Sequence, residues 1–177
     1  MDLQDAIKLI NHIKIAATGK TSWADLGCGS GLFTKALDTL LQPGSDIYAV
    51  DKNITAFNNS FTPLHCTLKK IKADFIKADL AMPLLDGVLM ANSLHFVNEK
   101  ISFLQKTKRM LKPGGALLIV EYDFDEPNPW VPFPVSYTAL KALLTKTGFN
   151  FTERIYELPS RYHRASIYSL IAALIQG

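Results

Sequence analysis

Apolar residues recur along the chain in two kinds of pattern, and the two kinds alternate. Spacings of three and four residues predict helices, whereas short, almost uninterrupted apolar runs predict strands that are buried on both faces. The helical stripes are Leu3, Ala6, Ile7, Ile10 and Ile13; Leu32 to Leu41; Ile101 to Leu111; and Tyr137 to Leu144. The strand-like runs are Trp23 to Leu26, Ile47 to Val50, Gly87 to Ala91 and Ala116 to Val120. This alternation predicts an α/β fold with a Rossmann-like, doubly wound and mainly parallel sheet.

The end of the chain breaks the alternation. Two strand-like runs, Phe149 to Leu158 and Ser166 to Leu174, are joined by residues 159–165, which leave no room for a helix. Antiparallel strands can be joined by a short connection, whereas parallel ones need a crossover. We therefore expect a C-terminal antiparallel hairpin at the edge of the sheet.

Length and composition predict one domain over residues 1–177, with an N-terminal helix at the start, from Leu3 to Ala17. The chain has 177 residues, of which 48% are apolar and 20% charged, as in a soluble globular domain. The longest apolar run, residues 165–175, is well short of the roughly 20 residues that span a bilayer. Asp2 and Asp5 lie at the start of the first apolar stripe, which is atypical of a secretory leader, so we expect a cytoplasmic protein.

Charge and cysteine usage give little support to polyanion or metal binding. The 19 basic and 16 acidic residues leave a net charge of +3, and the lysines Lys69, Lys70, Lys72 and Lys77 have the pattern of a solvated strand and loop. Cys28 and Cys66 lie far apart and form no C-x-x-C pair. We predict free thiols, no metal site and no nucleic-acid partner.

The strongest chemical signal is the segment Asp25-Leu26-Gly27-Cys28-Gly29-Ser30-Gly31, which follows the first strand and opens a helix. Ligands of doubly wound sheets bind at the carboxyl ends of strands, where glycines allow a close approach to the backbone. A dinucleotide fingerprint would need a glycine at position 32, which is leucine, and the Gly-Lys-Ser/Thr ending of a Walker loop is absent. The segment therefore predicts a cofactor site but disfavours NAD and nucleoside triphosphates.

Acidic residues at the next two strand ends extend this predicted site. Asp51 closes the second strand, where a carboxylate can accept hydrogen bonds from both hydroxyls of a ribose. The adjacent Lys52 would also suit a phosphorylated ribose. Asp74 and Phe75 are expected to end the third strand and to offer a carboxylate and an aromatic ring to an adenine.

Five motifs in order resemble those of the class I S-adenosylmethionine-dependent methyltransferases: Asp25 to Gly31, Asp51, Asp74-Phe75, Asn92 to Phe96 and Arg109 to Gly115. The resemblance covers nearly the whole chain and implies a seven-stranded sheet whose last strand is antiparallel. It also implies that Gly27 and Gly29 line the methionine part of S-adenosylmethionine, that Asp51 holds the ribose and that Asp74 and Phe75 meet the adenine. The set implied to bind the cofactor is Asp25, Gly27, Gly29, Gly31, Asp51, Lys52, Asp74, Phe75, Asn92 and Leu94, with Asn92 and Leu94 beside the sulfonium.

Departures from the family's patterns bear on the acceptor. Enzymes that methylate nucleobase amines carry an Asn/Asp-Pro-Pro-aromatic element after the fourth strand, where this chain has Asn92-Ser93-Leu94-His95. We therefore expect a small molecule with an O, N or S nucleophile. The substrate-side candidates are His95, Tyr122 and Trp130, the last in a loop of residues 123–136 with four prolines. No catalytic base is assigned, because methyl transfer depends mainly on proximity and alignment.

Two alternatives stay open at this point. The chain could be a module that binds S-adenosylmethionine without catalysis, which intact cofactor motifs do not exclude. It could also be a nicotinamide-dependent oxidoreductase, although Leu32 disfavours that class. The side chains at the strand ends also have structural alternatives to contact with the substrate. Glu121 and Asp123 could bond loop backbone, and His95 could cap or pack at a helix start.

Overall fold

The protein is described by a computed structural model that covers residues 1–15, 19–57, 62–159 and 165–174. The helices within these ranges are α1 (Leu3–Ile10), α2 (Leu32–Leu40), α3 (Lys100–Met110) and α4 (Tyr137–Lys146). The strands are β1 (Ser22–Leu26), β2 (Asp46–Asp51), β3 (Thr67–Lys72), β4 (Leu85–Ala91), β5 (Leu111–Tyr122), β6 (Phe151–Pro159) and β7 (Ser166–Ala173). No helix in these ranges has the length and apolarity needed to cross a membrane.

The strands form one seven-stranded sheet in the order β3-β2-β1-β4-β5-β7-β6. Strands β1 to β5 pair in parallel, whereas β7 runs antiparallel to both β5 and β6. The predicted fold class, including the C-terminal hairpin, is therefore confirmed. The chain order reverses between β1 and β4, so a crevice opens at their carboxyl ends, where ligands of such sheets bind.

Helices cover both faces of the sheet, which explains why the central strands are apolar throughout. On one face, α1 and α2 pack against sheet residues such as Trp23, Ile47 and Leu118. On the other face, α3 and α4 pack against alternate residues such as Ala24 and Leu117. The sheet is thus the middle layer of three; its inner strands β1, β2 and β4 are buried along most of their length, whereas the edge strand β3 is largely exposed.

The N-terminal helix is shorter than predicted. It ends at Ile10, because Asn11 has an extended backbone (φ −71°, ψ 101°) and the Nδ1 atom of His12 accepts a hydrogen bond from the backbone N–H of Lys14. This local bond replaces the helical one. The predicted stripe position Ile13 is consequently 82% exposed, and Ala16 and Ala17 lie outside the described residues.

The third strand also ends earlier than predicted. It stops at Lys72, and Asp74 begins a turn in which its backbone oxygen accepts hydrogen bonds from Lys77 and Ala78. Asp74 and Phe75 therefore follow the strand rather than end it. The hairpin strands begin and end within two residues of their predicted bounds, and most of the connection between them falls outside the described residues.

Candidate active site

A cavity of about 520 Å³ opens at the carboxyl ends of the central strands. This volume lies in the range of small-molecule and cofactor sites. The wall is formed by the glycine-rich loop after β1, the end of β2, the turn after β3 and the segment after β4. Its lining residues are Gly27, Cys28, Gly29, Ser30, Leu32, Phe33, Asp51, Lys52, Asp74, Phe75, Ile76, Ala91, Asn92, Ser93 and Phe96.

The glycine-rich loop takes its shape from glycines at positive φ. Gly27 has φ +81°, and a Cβ atom there would lie 2.5 Å from the Cβ of Ser93, so no side chain fits between the loop and the segment after β4. Gly29 has φ +51°, and a Cβ there would meet nothing within 4 Å. Gly27 thus packs two wall segments together, whereas the space around Gly29 is open to a ligand.

Asp51 fastens the glycine-rich loop to the end of β2. Its Oδ2 atom accepts a hydrogen bond from the N–H of Gly29 at 2.9 Å, and its Oδ1 atom accepts one from the N–H of Asn53 at 2.7 Å. The carboxylate is only partly buried and faces the cavity. Because each carboxylate oxygen can accept more than one hydrogen bond, both keep capacity for the hydroxyls of a ribose.

The turn after β3 brings a carboxylate and an aromatic ring to the same wall. The Oδ1 atom of Asp74 accepts a hydrogen bond from the N–H of Ile76 at 3.0 Å, which fixes the carboxylate within the turn. Phe75 is 9% exposed and packs edge-to-face on Phe103, with ring centroids 5.8 Å apart. A rigid ring and an acceptor beside it suit a flat base that carries an amino group.

Asn92 stands at the sulfonium end that the resemblance implies, and it has an unusual backbone. Among the described residues, Asn92 is the one non-glycine residue with a positive φ, which is +51°. Its backbone N–H bonds the carbonyl of Val120 at 2.8 Å, whereas its buried Oδ1 atom has no hydrogen-bond partner within the described structure. An unpaired buried acceptor on a cavity wall calls for a ligand donor.

Three residues of the predicted cofactor set lie behind the wall instead of lining it. Leu94 is fully buried in the core, because the 3₁₀ turn Leu94–Phe96 directs it inward and leaves Phe96 on the cavity wall. Gly31 lies under the ring of Phe57, which a Cβ would approach to 2.8 Å. The Leu94 side chain thus does not line the cavity, its place beside the sulfonium stays a prediction, and Phe96 is a lining residue that the sequence reasoning missed.

Asp25, the third of these residues, is a buried carboxyl group at the end of β1. Thr34 donates a hydrogen bond to its Oδ2 atom at 2.6 Å, and its Oδ1 atom has no partner among the described groups. Burial raises the pKa of Asp25 to about 7, the Thr34 bond opposes this, and the charge of Asp51 adds to it. Burial likewise raises the pKa of the Cys28 thiol, so this wall residue is a neutral thiol and not a nucleophile.

The substrate-side candidates occupy different environments. His95 is 4% exposed, and its ring Nδ1 lies 2.8 Å from Oε2 of Glu121, itself buried. Tyr122 is half-buried, with its ring centroid 6.4 Å from that of His95. Trp130 is 81% exposed and does not line the cavity. The structure brings His95 and Tyr122 together, whereas Trp130 is an exposed side chain of its loop.

The loop of residues 123–136 is fixed at both of its ends and in the middle. Asp123 and Asp125 accept hydrogen bonds from the N–H groups of Tyr137 and Ser136, each at 2.8 Å. The N–H of Phe133 donates to the carbonyl of His95 at 3.0 Å. Asp123 therefore bonds the backbone at the start of α4, and the loop is held against the segment that carries His95.

Comparison with known proteins identifies the family. Residues 24–119 match the family described as "Methyltransferase domain". This match covers more than half of the chain, and the chain therefore belongs to that family. The class predicted from the motifs, the S-adenosylmethionine-dependent methyltransferases, is confirmed, and so is the cofactor; the nicotinamide alternative falls.

Individual relatives agree with this assignment. An O-methyltransferase from Pyrenophora dematioidea is 29% identical over 144 residues, which cover 73% of this chain and 54% of the relative. The chain thus spans about half the length of that relative. A S-adenosylmethionine-dependent methyltransferase from Aquifex aeolicus is 19% identical with a TM-score of 0.65, covering 99% of this chain and 100% of the other.

A third similar protein is the Burkholderia thailandensis 1,6-didemethyltoxoflavin-N1-methyltransferase, solved with 1,6-didemethyltoxoflavin and S-adenosylhomocysteine. It is 16% identical with a TM-score of 0.70, covering 98% of this chain and 78% of the other. At these identities the two solved structures show that the fold is shared. The cavity agrees with the cofactor on independent grounds, through its volume, the open space at Gly29 and the unpaired Oδ1 of Asn92.

Proposed function

We propose that this chain transfers the methyl group of S-adenosylmethionine to an O, N or S nucleophile of a small molecule. The observation that carries the proposal is the cavity itself, because one continuous wall presents the glycine-rich loop, the Asp51 carboxylate and the Asp74-Phe75 pair. When bound, the cofactor supplies an electrophilic methyl group. The chain's own residues would then hold the cofactor and exclude water around the reacting atoms.

The assignment of parts follows the order of the wall. Gly27 and Gly29 would face the methionine part, Asp51 the ribose hydroxyls, and Asp74 with Phe75 the adenine. Asn92 would offer its unpaired Oδ1 to a donor near the methionine end. Lys52 is exposed on the same wall beside Asp51 and would lie near the ribose.

A small acceptor is favoured by the dimensions of the site. S-adenosylmethionine would fill much of the 520 Å³ cavity. The acceptor would then enter beside the exposed part of the wall, at Phe96, which is 50% exposed. Among the similar proteins, one is named for an O-methyl transfer and another for an N1-methyl transfer. Oxygen and nitrogen acceptors both fall within the proposed function.

Calorimetry with S-adenosylhomocysteine tests the cofactor site directly. We expect micromolar affinity, roughly 8 kcal/mol of binding free energy. Asp51→Ala should weaken binding by about 1.5 to 3 kcal/mol, roughly 10- to 150-fold, because a charged hydrogen-bond acceptor is lost. Asp51→Asn keeps the shape of the side chain but not its charge, so its affinity should lie between those of the wild type and Asp51→Ala.

Asp46→Ala is the matched control, since Asp46 lies at the opposite end of the same strand and pairs with Lys69 at 3.1 Å. It should leave the affinity unchanged. Equal affinities for the Asp51 and Asp46 variants would contradict the proposed ribose site. Tight binding without methyl transfer to any acceptor would instead identify a binding module without catalysis.

A further inference from the structure

A buried carboxylate near the end of α2 has no cation to neutralise it. Asp38 is 0% exposed, and its two oxygens accept hydrogen bonds from the backbone N–H groups of Leu64 at 2.6 Å and of Cys66 at 3.0 Å. Among the described residues, no basic side chain forms an ion pair with it. Buried charges in proteins are paired or coordinate a metal ion, so the charge of Asp38 calls for a partner.

A histidine and a cysteine lie beside this carboxylate. His65 and Cys66 directly precede β3, and a carboxylate oxygen of Asp38, a ring nitrogen of His65 and the sulfur of Cys66 all lie within 4.8 Å of one another. Asp38 and Cys66 are buried, and His65 is half-buried. These are the three kinds of ligand atom that bind Zn²⁺ in proteins. A tetrahedral zinc holds its ligand atoms about 3.5 Å apart, so small rotations of the side chains would close the cluster on the ion.

One ring nitrogen of His65 is already held by a hydrogen bond. Its Nε2 atom lies 2.8 Å from the carbonyl oxygen of Leu41. A carbonyl has no proton to give, so Nε2 is the donor and Nδ1 carries the free electron pair of the neutral ring. Histidines that bind metals almost always donate their other ring N–H in this way, which fixes the ring and makes the ligand nitrogen more basic. His65 therefore has the supporting bond of a metal ligand.

The segment that carries the histidine and the cysteine is fixed from two sides. The backbone carbonyl of His65 accepts a hydrogen bond from the N–H of Gly44 at 2.9 Å, and the N–H of Thr67 donates to the carbonyl of Ser45 at 2.8 Å. Cys66 is part of the apolar core beneath α1 and α2. A fixed backbone holds the ligands in place, and apolar surroundings strengthen the attraction between a cation and its ligands.

The charges of the cluster match those of a divalent cation. Burial, together with the neighbouring carboxylate of Asp38, raises the pKa of the Cys66 thiol to about 12, so in the absence of a metal the thiol is neutral and donates to that carboxylate. A bound Zn²⁺ displaces the proton of a ligating thiol. The carboxylate and the thiolate then balance the two positive charges, which leaves the buried site without a net charge.

We propose that Asp38, His65 and Cys66 bind one structural Zn²⁺ ion that links the end of α2 to the start of β3, with water as the fourth ligand. The sequence predicts no metal site, because Asp38 and Cys66 are 28 residues apart and no local motif contains all three ligands. The cluster precedes β3, whereas the cofactor cavity lies beyond the carboxyl ends of the strands. The inference thus goes beyond the methyl transfer proposed above and does not depend on it.

Cobalt spectroscopy tests the ligand set. The full chain is freed of metal with a chelator, kept reduced and titrated with Co²⁺ in the absence of S-adenosylmethionine. We expect saturation at one Co²⁺ per chain, the visible bands of a tetrahedral ion and a near-ultraviolet charge-transfer band from thiolate to cobalt. Zn²⁺ should displace the cobalt and remove these bands. A saturated protein without the charge-transfer band would overturn the proposal.

Two conservative variants identify the ligands. Cys66→Ser keeps a hydroxyl donor for Asp38, and His65→Gln keeps an N–H for the carbonyl of Leu41, so both should keep the fold. Cys66→Ser should lose the charge-transfer band, and His65→Gln should weaken Co²⁺ binding by at least about 10-fold. Folded variants that bind Co²⁺ as the wild type does, with the same band, would overturn the assignment.

The matched controls are Cys28→Ala and His12→Gln, which change a cysteine and a histidine outside the cluster. Both should keep the stoichiometry, the affinity and the charge-transfer band of the wild type. A band that is lost in Cys28→Ala and retained in Cys66→Ser would place the thiolate ligand elsewhere and would overturn the proposal.

Stability and X-ray absorption test zinc itself. A ligand that binds only the folded chain raises the folding equilibrium constant about 100-fold at 100 times its Kd. The Tm should therefore rise with Zn²⁺ in the wild type and in Cys28→Ala, but not in Cys66→Ser. Zinc-edge absorption should show one sulfur at about 2.3 Å with nitrogen and oxygen ligands at about 2.0 to 2.2 Å. A wild-type Tm that is independent of Zn²⁺, or a spectrum without sulfur, would overturn the proposal.

Discussion

Asp25 is a carboxyl group that the fold keeps away from water at the end of β1. It is 1% exposed, with one oxygen bound to Thr34 and the other without a partner in the described chain. Because burial raises its pKa from 3.8 to about 7, the protonated form is favoured in the fold over a range in which the unfolded chain has lost the proton.

The sign of the resulting pH dependence follows from this direction. The stabilisation is fully present below about pH 3.8 and is lost as pH rises through about 7. Across that window Asp25 should lower the free energy of unfolding by roughly 1.4 kcal/mol per pH unit. Asp25→Asn, which cannot ionise, should lack this contribution, so its stability relative to the wild type should rise from pH 4 to pH 7.

Urea unfolding of both proteins at several pH values measures the difference. Asp38→Asn serves as a comparison, since Asp38 is also buried but both of its oxygens accept backbone N–H bonds, from Leu64 and Cys66. A constant stability difference between wild type and Asp25→Asn over the whole range would show that Asp25 ionises in the fold as it does in the unfolded chain.

At the scale of elements, the loop of residues 123–136 is the part most open to a functional role. Its buried residues, Val131 and Val135, pack it onto the domain, and Lys100 donates a hydrogen bond to the carbonyl of Phe133 at 2.6 Å. Trp130 takes no part in this packing, because it is 81% exposed. We propose that it meets the acceptor, as the placement of the loop after β5 suggests.

Trp130→Ala tests this proposal. Because the side chain is exposed, the free energy of unfolding should change by no more than about 0.5 kcal/mol, far from the cost of truncating a buried tryptophan. Cofactor affinity should also stay constant, whereas turnover or acceptor KM should worsen. Ile13→Ala, at an equally exposed position outside the loop, should change none of the three quantities. Unchanged kinetics in Trp130→Ala would assign the side chain no part in catalysis.

The elements also show what could be predicted from the sequence. Strands β1, β2 and β4 were predicted within two residues, because strands covered on both faces need apolar side chains at every position. Strand β5 begins at Leu111, five residues before the predicted run, because its first residues, Leu111 to Gly115, are not an apolar run. The ends of α1 and β3 were wrong, because they depend on a side-chain bond at His12 and a turn at Asp74. Periodicity contains no information on either.

The candidate site divides in the same way. Gly27, Asp51 and Asp74 were predictable because strand ends in a parallel sheet share one edge. The exchange of Leu94 for Phe96 on the cavity wall depends on the rotation of one 3₁₀ turn. The pairing of His95 with Glu121 depends on the register of β4 and β5, in which Ala91 lies opposite Val120. Neither feature is visible in local sequence.

At the scale of the whole molecule, the distribution of cations matters more than the net charge of +3. Lys69 and Lys112 pair with Asp46 and Asp86 at 3.1 and 2.8 Å. Lys106 bonds the carbonyls of the turn after β3, and Lys108 those that follow α4. These lysines pair with carboxylates or donate hydrogen bonds to backbone carbonyls of the protein itself. They are therefore poorly placed to form a basic face for phosphates.

We therefore expect no tight binding to DNA or RNA at physiological salt. Non-specific affinity for nucleic acids comes from neutralising several phosphates at once, and its dependence on salt reports how many are contacted. Gel shift and fluorescence anisotropy with duplex DNA and single-stranded RNA at about 150 mM salt are the measurement. Submicromolar binding would contradict the small-molecule acceptor. In that case Lys106→Ala and Lys112→Ala would show whether the lysines leave their internal partners to contact phosphates, because each variant should then reduce the salt dependence by about one phosphate.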